Sequence, residues 1–101
     1  MEKSKETRSE YIRLLRRFKQ EHAAEYNIER LGIFGSVARG EQTENSDVDV
    51  YIESDTISLL DMGGLLLDLQ DLLGVNVDLV HKHKYLRPEF MQRIKKDIIY
   101  V

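Results

Sequence analysis

The sequence contains no cysteine among its 101 residues, which excludes a disulfide framework and a thiolate metal site. It has three histidines, and without cysteine they form no zinc pattern. No serine has the neighbours of a catalytic triad. No apolar run is long enough for a signal peptide or a membrane span, and the first twenty residues are dense in charge. These features predict a soluble, cytoplasmic protein. Repeats, linkers and low-complexity segments are also absent. The length suits one domain over residues 1–101. A chain of this size buries roughly two-thirds of its unfolded surface, which supports one core and little room for a separate substrate domain.

The net charge of -3 conceals an uneven distribution. Residues 27–80 carry eleven acidic side chains against two basic ones, whereas residues 81–101 carry six basic against two acidic. Crowded carboxylates repel each other unless cations neutralise them. The basic ends suit an anionic partner, nucleotide phosphates or simply a solvated helix face. The acidic middle argues against direct nucleic-acid binding.

Hydrophobic periodicity gives the order of elements. Tyr11, Leu14, Leu15, Phe18, His22 and Tyr26 recur at helical spacing, predicting a helix over 4–26, with His22 at the core edge and Asn27 as its end. Strands are predicted over 30–34, 47–53 and 75–80. A short helix follows Gly35 and Ser36, near 36–39. A second long helix over 58–73 starts at an N-cap, Ser58, and stops at Gly74. Gly63 and Gly64 weaken that helix by about 1 kcal/mol each relative to alanine, which implies a close packing contact or a mobile start. Pro88 suits the first turn of a last helix with Phe90, Met91 and Ile94 on its apolar side. The tail Ile98-Ile99-Tyr100-Val101 is apolar enough to dock. The order α-β-α-β-α-β-α predicts an α/β (α+β) fold, a small mixed sheet with helices on one face and aspartates on the other.

The chemistry concentrates in Gly35-Ser36-Val37-Ala38-Arg39-Gly40 and in Asp47-Val48-Asp49, with ten residues between Ser36 and Asp47. Glycine lets the backbone approach a ligand closely. Unpaired amides at a helix start receive anions, and the Ser36 hydroxyl adds a donor for a phosphate oxygen. Arg39 could contact phosphate or fix the loop by pairing with a carboxylate. Asp47 and Asp49 project on one face of their strand and offer oxygen ligands for a hard cation such as Mg²⁺. Asp78 lies on the polar face of the third strand. If that strand pairs beside the second, three carboxylates could bind two Mg²⁺ ions about 4 Å apart, as two-metal phosphoryl transfer requires. Asp78 would then polarise or deprotonate the attacking hydroxyl. An acidic solvent face is the plainer alternative for each. His81 and His83 stand beside Lys82 and Lys84, which suits a basic patch or an adenine or partner contact better than a metal. Packing is the default for Tyr51, Tyr85 and Tyr100.

Gly35-Ser36, Asp47-Val48-Asp49 and Asp78 within Val-Asp-Leu-Val together resemble the nucleotidyltransferase superfamily of DNA polymerase beta. Gly-Ser-Val-Ala-Arg-Gly-Glu is especially similar to its minimal members, the MNT proteins, and the likeness spans nearly the whole chain. The resemblance implies a nucleotidyltransferase-like core with Gly35 and Ser36 on the triphosphate and Asp47, Asp49 and Asp78 on Mg²⁺. It also implies ATP as donor and a HEPN-domain ribonuclease toxin as partner, to which AMP is transferred. The short chain shows no helical acceptor domain, so the acceptor is expected on another molecule. A non-catalytic antitoxin acting by occlusion and a small-molecule nucleotidyltransferase remain alternatives, with self-association left open.

Overall fold

The computed structural model describes residues 8–41, 43, 46–82 and 86–101. Residues 4–7 of the first expected helix, and His83, Lys84 and Tyr85, lie outside that set. The elements are α1 (Arg8–Tyr26), β1 (Arg30–Phe34), α2 (Gly35–Arg39), β2 (Val48–Glu53), α3 (Leu59–Leu73), β3 (Val77–His81), α4 (Pro88–Asp97) and β4 (Ile99–Tyr100). Their sheet order is β3-β2-β1-β4. β2 runs parallel to β3, and β1 is antiparallel to both β2 and β4.

The local signals act where the chemistry of each residue demands. Asn27 takes a left-handed conformation (φ 54°) just after α1. The Ser58 hydroxyl accepts from the Asp61 amide at 3.0 Å, capping α3. Gly74 closes α3 at φ 71°, its amide bonded to the Gln70 carbonyl. Pro88 stands in the first turn of α4, where its missing N–H costs no helical bond.

Alternation in the strands splits the apolar residues between two faces. Leu31 and Ile33 of β1 and Val48, Val50 and Ile52 of β2 point to one side. There they form the main core with Tyr11, Leu15 and Phe18 of α1 and Leu65, Leu69 and Leu73 of α3. The expected single helical face describes α1 and α3. α4 departs from it: Ile94, with Phe90 and Met91, packs on Phe34 and Tyr51 on the opposite side. The reason is that the aspartate-bearing face is only half polar. Phe34 and Tyr51 are large and would stand in water, so α4 covers them and leaves Tyr51 fully buried. Burial and its hydrogen bond to Glu53 push the Tyr51 phenol well above its ordinary pKa.

The tail docks as an edge strand that was not expected. Tyr100 and Ile99 pair with Gly32 and Ile33, and the Val101 amide bonds the Leu31 carbonyl at 2.9 Å. A Cβ at Gly32 would press into the Ile98 side chain and the Ile99 carbonyl, so glycine there admits the tail. Lys19 of α1 donates to the Val101 carbonyl at 3.0 Å. Two residues are too few for periodicity to register as a strand, whereas pairing to β1 is a tertiary event.

Candidate functional site

The parallel register of β2 and β3 sets Asp49 beside Asp78, the juxtaposition on which the three-carboxylate reading depends. The Asp49 and Asp78 side chains share a hydrogen bond, and the Asp47 charge acts on Asp49 as well. Burial first, then the Asp78 and Asp47 charges, push the Asp49 carboxyl up to about 6, with Arg39 opposing. Asp49 is half-buried, while Asp47 and Asp78 are exposed. Asp47 immediately precedes β2 rather than lying within it. Among the described residues, no three His, Cys, Asp or Glu side chains already converge on one metal position. The donor set is nevertheless all oxygen. It suits a hard cation, whose positive charge would lower the cost of ionising Asp49 beside its neighbours.

Gly35 follows β1 directly and opens α2 at φ 75°. That conformation favours glycine, and a second constraint is stricter. A Cβ at Gly35 would collide with Oδ2 of Asp49. The close approach that the sequence suggested toward a ligand is therefore made first to a carboxylate of the same site. α2 has no side-chain N-cap, and the half-buried Ser36 hydroxyl has no hydrogen-bond partner among the described residues. Its carbonyl accepts from the Glu41 amide at 2.8 Å, and Gly40 ends α2 at φ 76°. Arg8 of α1 donates to the Ala38 carbonyl at 2.8 Å, tying the turn to the long helix.

Arg39 adopts the carboxylate-pairing alternative. Its Nε donates to Glu41 at 2.9 Å and its Nη1 to Asp97 of α4 at 2.7 Å. Sequence reasoning missed Asp97, because the two partners lie 58 positions apart and nothing local to α4 marks one aspartate for this contact. The bridge spans from the turn after β1 to the last turn of the helix that covers the same face.

The histidines lie elsewhere. His22 stacks on Phe18 with ring centroids 4.5 Å apart, and its Nδ1 lies 2.8 Å from Glu25. His81 Nε2 lies 2.8 Å from the Ser54 carbonyl, past the far end of β2. Tyr100 packs edge-on to Tyr51, with the Arg30 guanidinium 5.2 Å from its ring centre.

A βαβ-like frame carrying Gly-Ser, Asp-x-Asp and a third aspartate in register defines a nucleotide-transfer class of protein. The profile of the Nucleotidyltransferase domain family matches residues 12–101, and the chain belongs to that family. It is 42% identical over 96 residues to a Methanocaldococcus jannaschii protein that carries the provisional name protein adenylyltransferase MJ0126, covering 94% of this chain and 98% of that one. A solved structure provisionally described as a minimal nucleotidyltransferase superimposes with a TM-score of 0.78 at 35% identity, covering 96% of this chain and 98% of that chain. The fold is shared, at 16% identity and a TM-score of 0.68, with a chain in the complex of a tri-AMPylated Shewanella oneidensis HEPN toxin with MNT antitoxin, covering 93% of this chain and 71% of that one. The protein is therefore a nucleotidyltransferase of the minimal type. Among the described residues, no helix is long and apolar enough to cross a membrane.

Proposed function

We propose that this chain is a Mg²⁺-dependent protein adenylyltransferase, acting as a single minimal domain. In this reading it moves AMP from ATP to a hydroxyl of a HEPN-type toxin and thereby acts as its antitoxin. The observation that carries the reading is the meeting of Gly35, Asp49 and Asp78 at one end of the sheet. The name of the M. jannaschii relative and the AMPylated state of the Shewanella complex support the donor and acceptor class.

Each residue has a role that its position permits. The α2 amides and the Ser36 hydroxyl, unpartnered among the described residues, bind triphosphate oxygens. Arg39, held by Asp97 and Glu41, keeps the turn in place and adds positive charge near Asp49. Asp47, Asp49 and Asp78 would hold Mg²⁺, which when bound screens the triphosphate and lowers the pKa of the acceptor hydroxyl. Asp78 orients that hydroxyl and accepts its proton. The hydroxyl oxygen bonds to the α-phosphorus, the bond from that phosphorus to the bridging oxygen breaks, and pyrophosphate leaves.

The test uses ATP labelled on the α-phosphate, Mg²⁺ and the proteins that co-purify with this chain. Label is expected on a partner protein with wild type and not with Asp47→Asn. An Asp47→Asn variant that labels the partner fully, or that neutralises it as well as wild type does, would overturn transfer as the mechanism.

A further inference from the structure

α3 is apolar on two sides. Leu65, Leu69 and Leu73 face the core, yet Leu59, Leu60 and Leu67 are 91%, 86% and 65% exposed. Leu60, Gly63, Leu67 and Asp71 follow one another at helical spacing and form a stripe directed away from the protein. A soluble helix normally reserves that side for polar residues. Gly63 sharpens the point. Nothing lies within 4 Å of where its Cβ would be, so no contact within the described fold explains a residue that costs a helix interior about 1 kcal/mol. Among the described residues, a Cβ at Gly64 would meet only the Tyr26 hydroxyl, at an ordinary 3.7 Å.

The neighbouring helix presents the complement. The outward side of α1 carries Arg13, Arg16, Arg17 and Gln20 around a shallow groove of about 520 Å³, completed by Ser9 and Ile12. Arg13 and Arg17 are paired within their own helix. Arg16 and Asp71 have no side-chain partner among the described residues. α3 contains Asp61, Asp68 and Asp71 and no basic residue, so stacking α3 on a second α3 would bring acid onto acid.

Topology then selects the pairing. α1 leads into β1 through a short turn and so runs along β2. α3 returns antiparallel to β2 before entering the parallel β3. The two helices are therefore antiparallel, and the start of α1 stands level with the end of α3. A two-fold axis parallel to the helices lays α1 of one copy over α3 of the other, twice. Arg16 then meets the second copy's acidic end of α3, and Leu67 enters the groove of α1.

We propose that the outer face of α1 and α3 is a self-association surface whose occupant is a second copy of this chain. Helices of 19 and 15 residues span roughly 28 and 22 Å. At about 10 Å spacing they offer about 500 Å² per copy, about 1,000 Å² in total. That is the low end for a specific contact, so the dimer is weak, with a Kd on the order of 10 µM. The aspartates lie on the opposite face of the sheet, so both sites stay open in the pair.

Sedimentation equilibrium of the full chain tests this without nucleotide, and so independently of the transfer reading. Wild type is expected to shift from monomer to dimer over roughly 1–100 µM. Leu67→Glu, on the solvent side of α3, should weaken association by about tenfold or more while its thermal unfolding and far-UV spectrum stay unchanged. Arg16→Asp and Asp71→Arg should each weaken it about threefold to tenfold, and the combined variant should return to within about twofold of wild type. A wild-type chain still monomeric at about 500 µM would overturn the second copy. Association unchanged by Leu67→Glu, or no recovery in the combined variant, would overturn the α1-on-α3 pairing.

Discussion

On one face of the sheet, Leu31, Ile33, Val50 and Ile52 are wholly buried under α1 and α3, and α3 is closed at both ends by conventional caps. On the other face Asp49 leans on Asp78, Gly35 is held at positive φ against Asp49, and α2 begins without a side-chain cap. The first face follows the alternation, burial and capping rules that favour folding. The second breaks several within a few residues of one another. Such a contrast is expected where a packed layer carries the stability and the strained groups carry the chemistry.

The difference is broken most directly by Asp49→Asn. Removing one charge from the aspartate group should lower transfer by about a thousandfold, since metal-centred charge stabilisation contributes several kcal/mol to such a barrier. Initial rates with α-labelled ATP measure it, and a loss below tenfold would show that Asp49 is peripheral. Leu65→Ala probes the other face. Leu65 is fully buried between α3 and the sheet, so its truncation should cost about 2–5 kcal/mol of unfolding free energy. Denaturant titration reads that loss. At temperatures where the variant remains folded, its transfer rate should stay near wild type.

Gly35→Ala tests both at once. It forces a side chain into positive φ and into the Asp49 carboxylate. A cost of about 1–3 kcal/mol is expected, together with a loss of transfer beyond what the stability change explains. If activity survives while stability falls, the close approach serves folding alone.

Much of this contrast could be read from the sequence, for a physical reason. Val48, Val50 and Ile52 alternate with Asp49 because a strand exposes alternate residues, so the pattern itself assigns Asp49 to the less apolar face. Ser58 and Gly74 carry their capping chemistry in their own side chain and backbone. Asp78 could be flagged, but its place opposite Asp49 depends on parallel pairing across the α3 crossover. Two features left no local trace. β4 exists only through its pairing with β1, and Asp97 meets Arg39 only through the docking of α4. Tyr51 is packed as expected, and α4 supplies the cover. Gly63 is the reverse case. Its anomaly is visible in the sequence, and the packing contact invoked to explain it is absent among the described residues.

The smallest predicted effect distinguishes the two faces by sign. The fold raises the Asp49 carboxyl from 3.8 to about 6, so the folded chain holds that proton more tightly than the unfolded one does. The contribution to stability is complete below pH 3.8 and is lost as pH rises through about 6. At pH 7 without metal the ionised Asp49 therefore opposes folding, by on the order of 1 kcal/mol after allowance for solvent screening. Asp49→Asn should raise the metal-free unfolding free energy at pH 7 by that amount and remove the corresponding decline between pH 4 and pH 6. It should also diminish the stabilisation that millimolar Mg²⁺ gives wild type. Leu65→Ala, by contrast, lowers stability equally at both pH values and leaves the Mg²⁺ response in place. Urea titrations at pH 4.0 and 7.0, with and without Mg²⁺, separate these outcomes. An Asp49→Asn variant less stable than wild type at pH 7 without metal would show that Asp49 supports the sheet end structurally rather than at its expense.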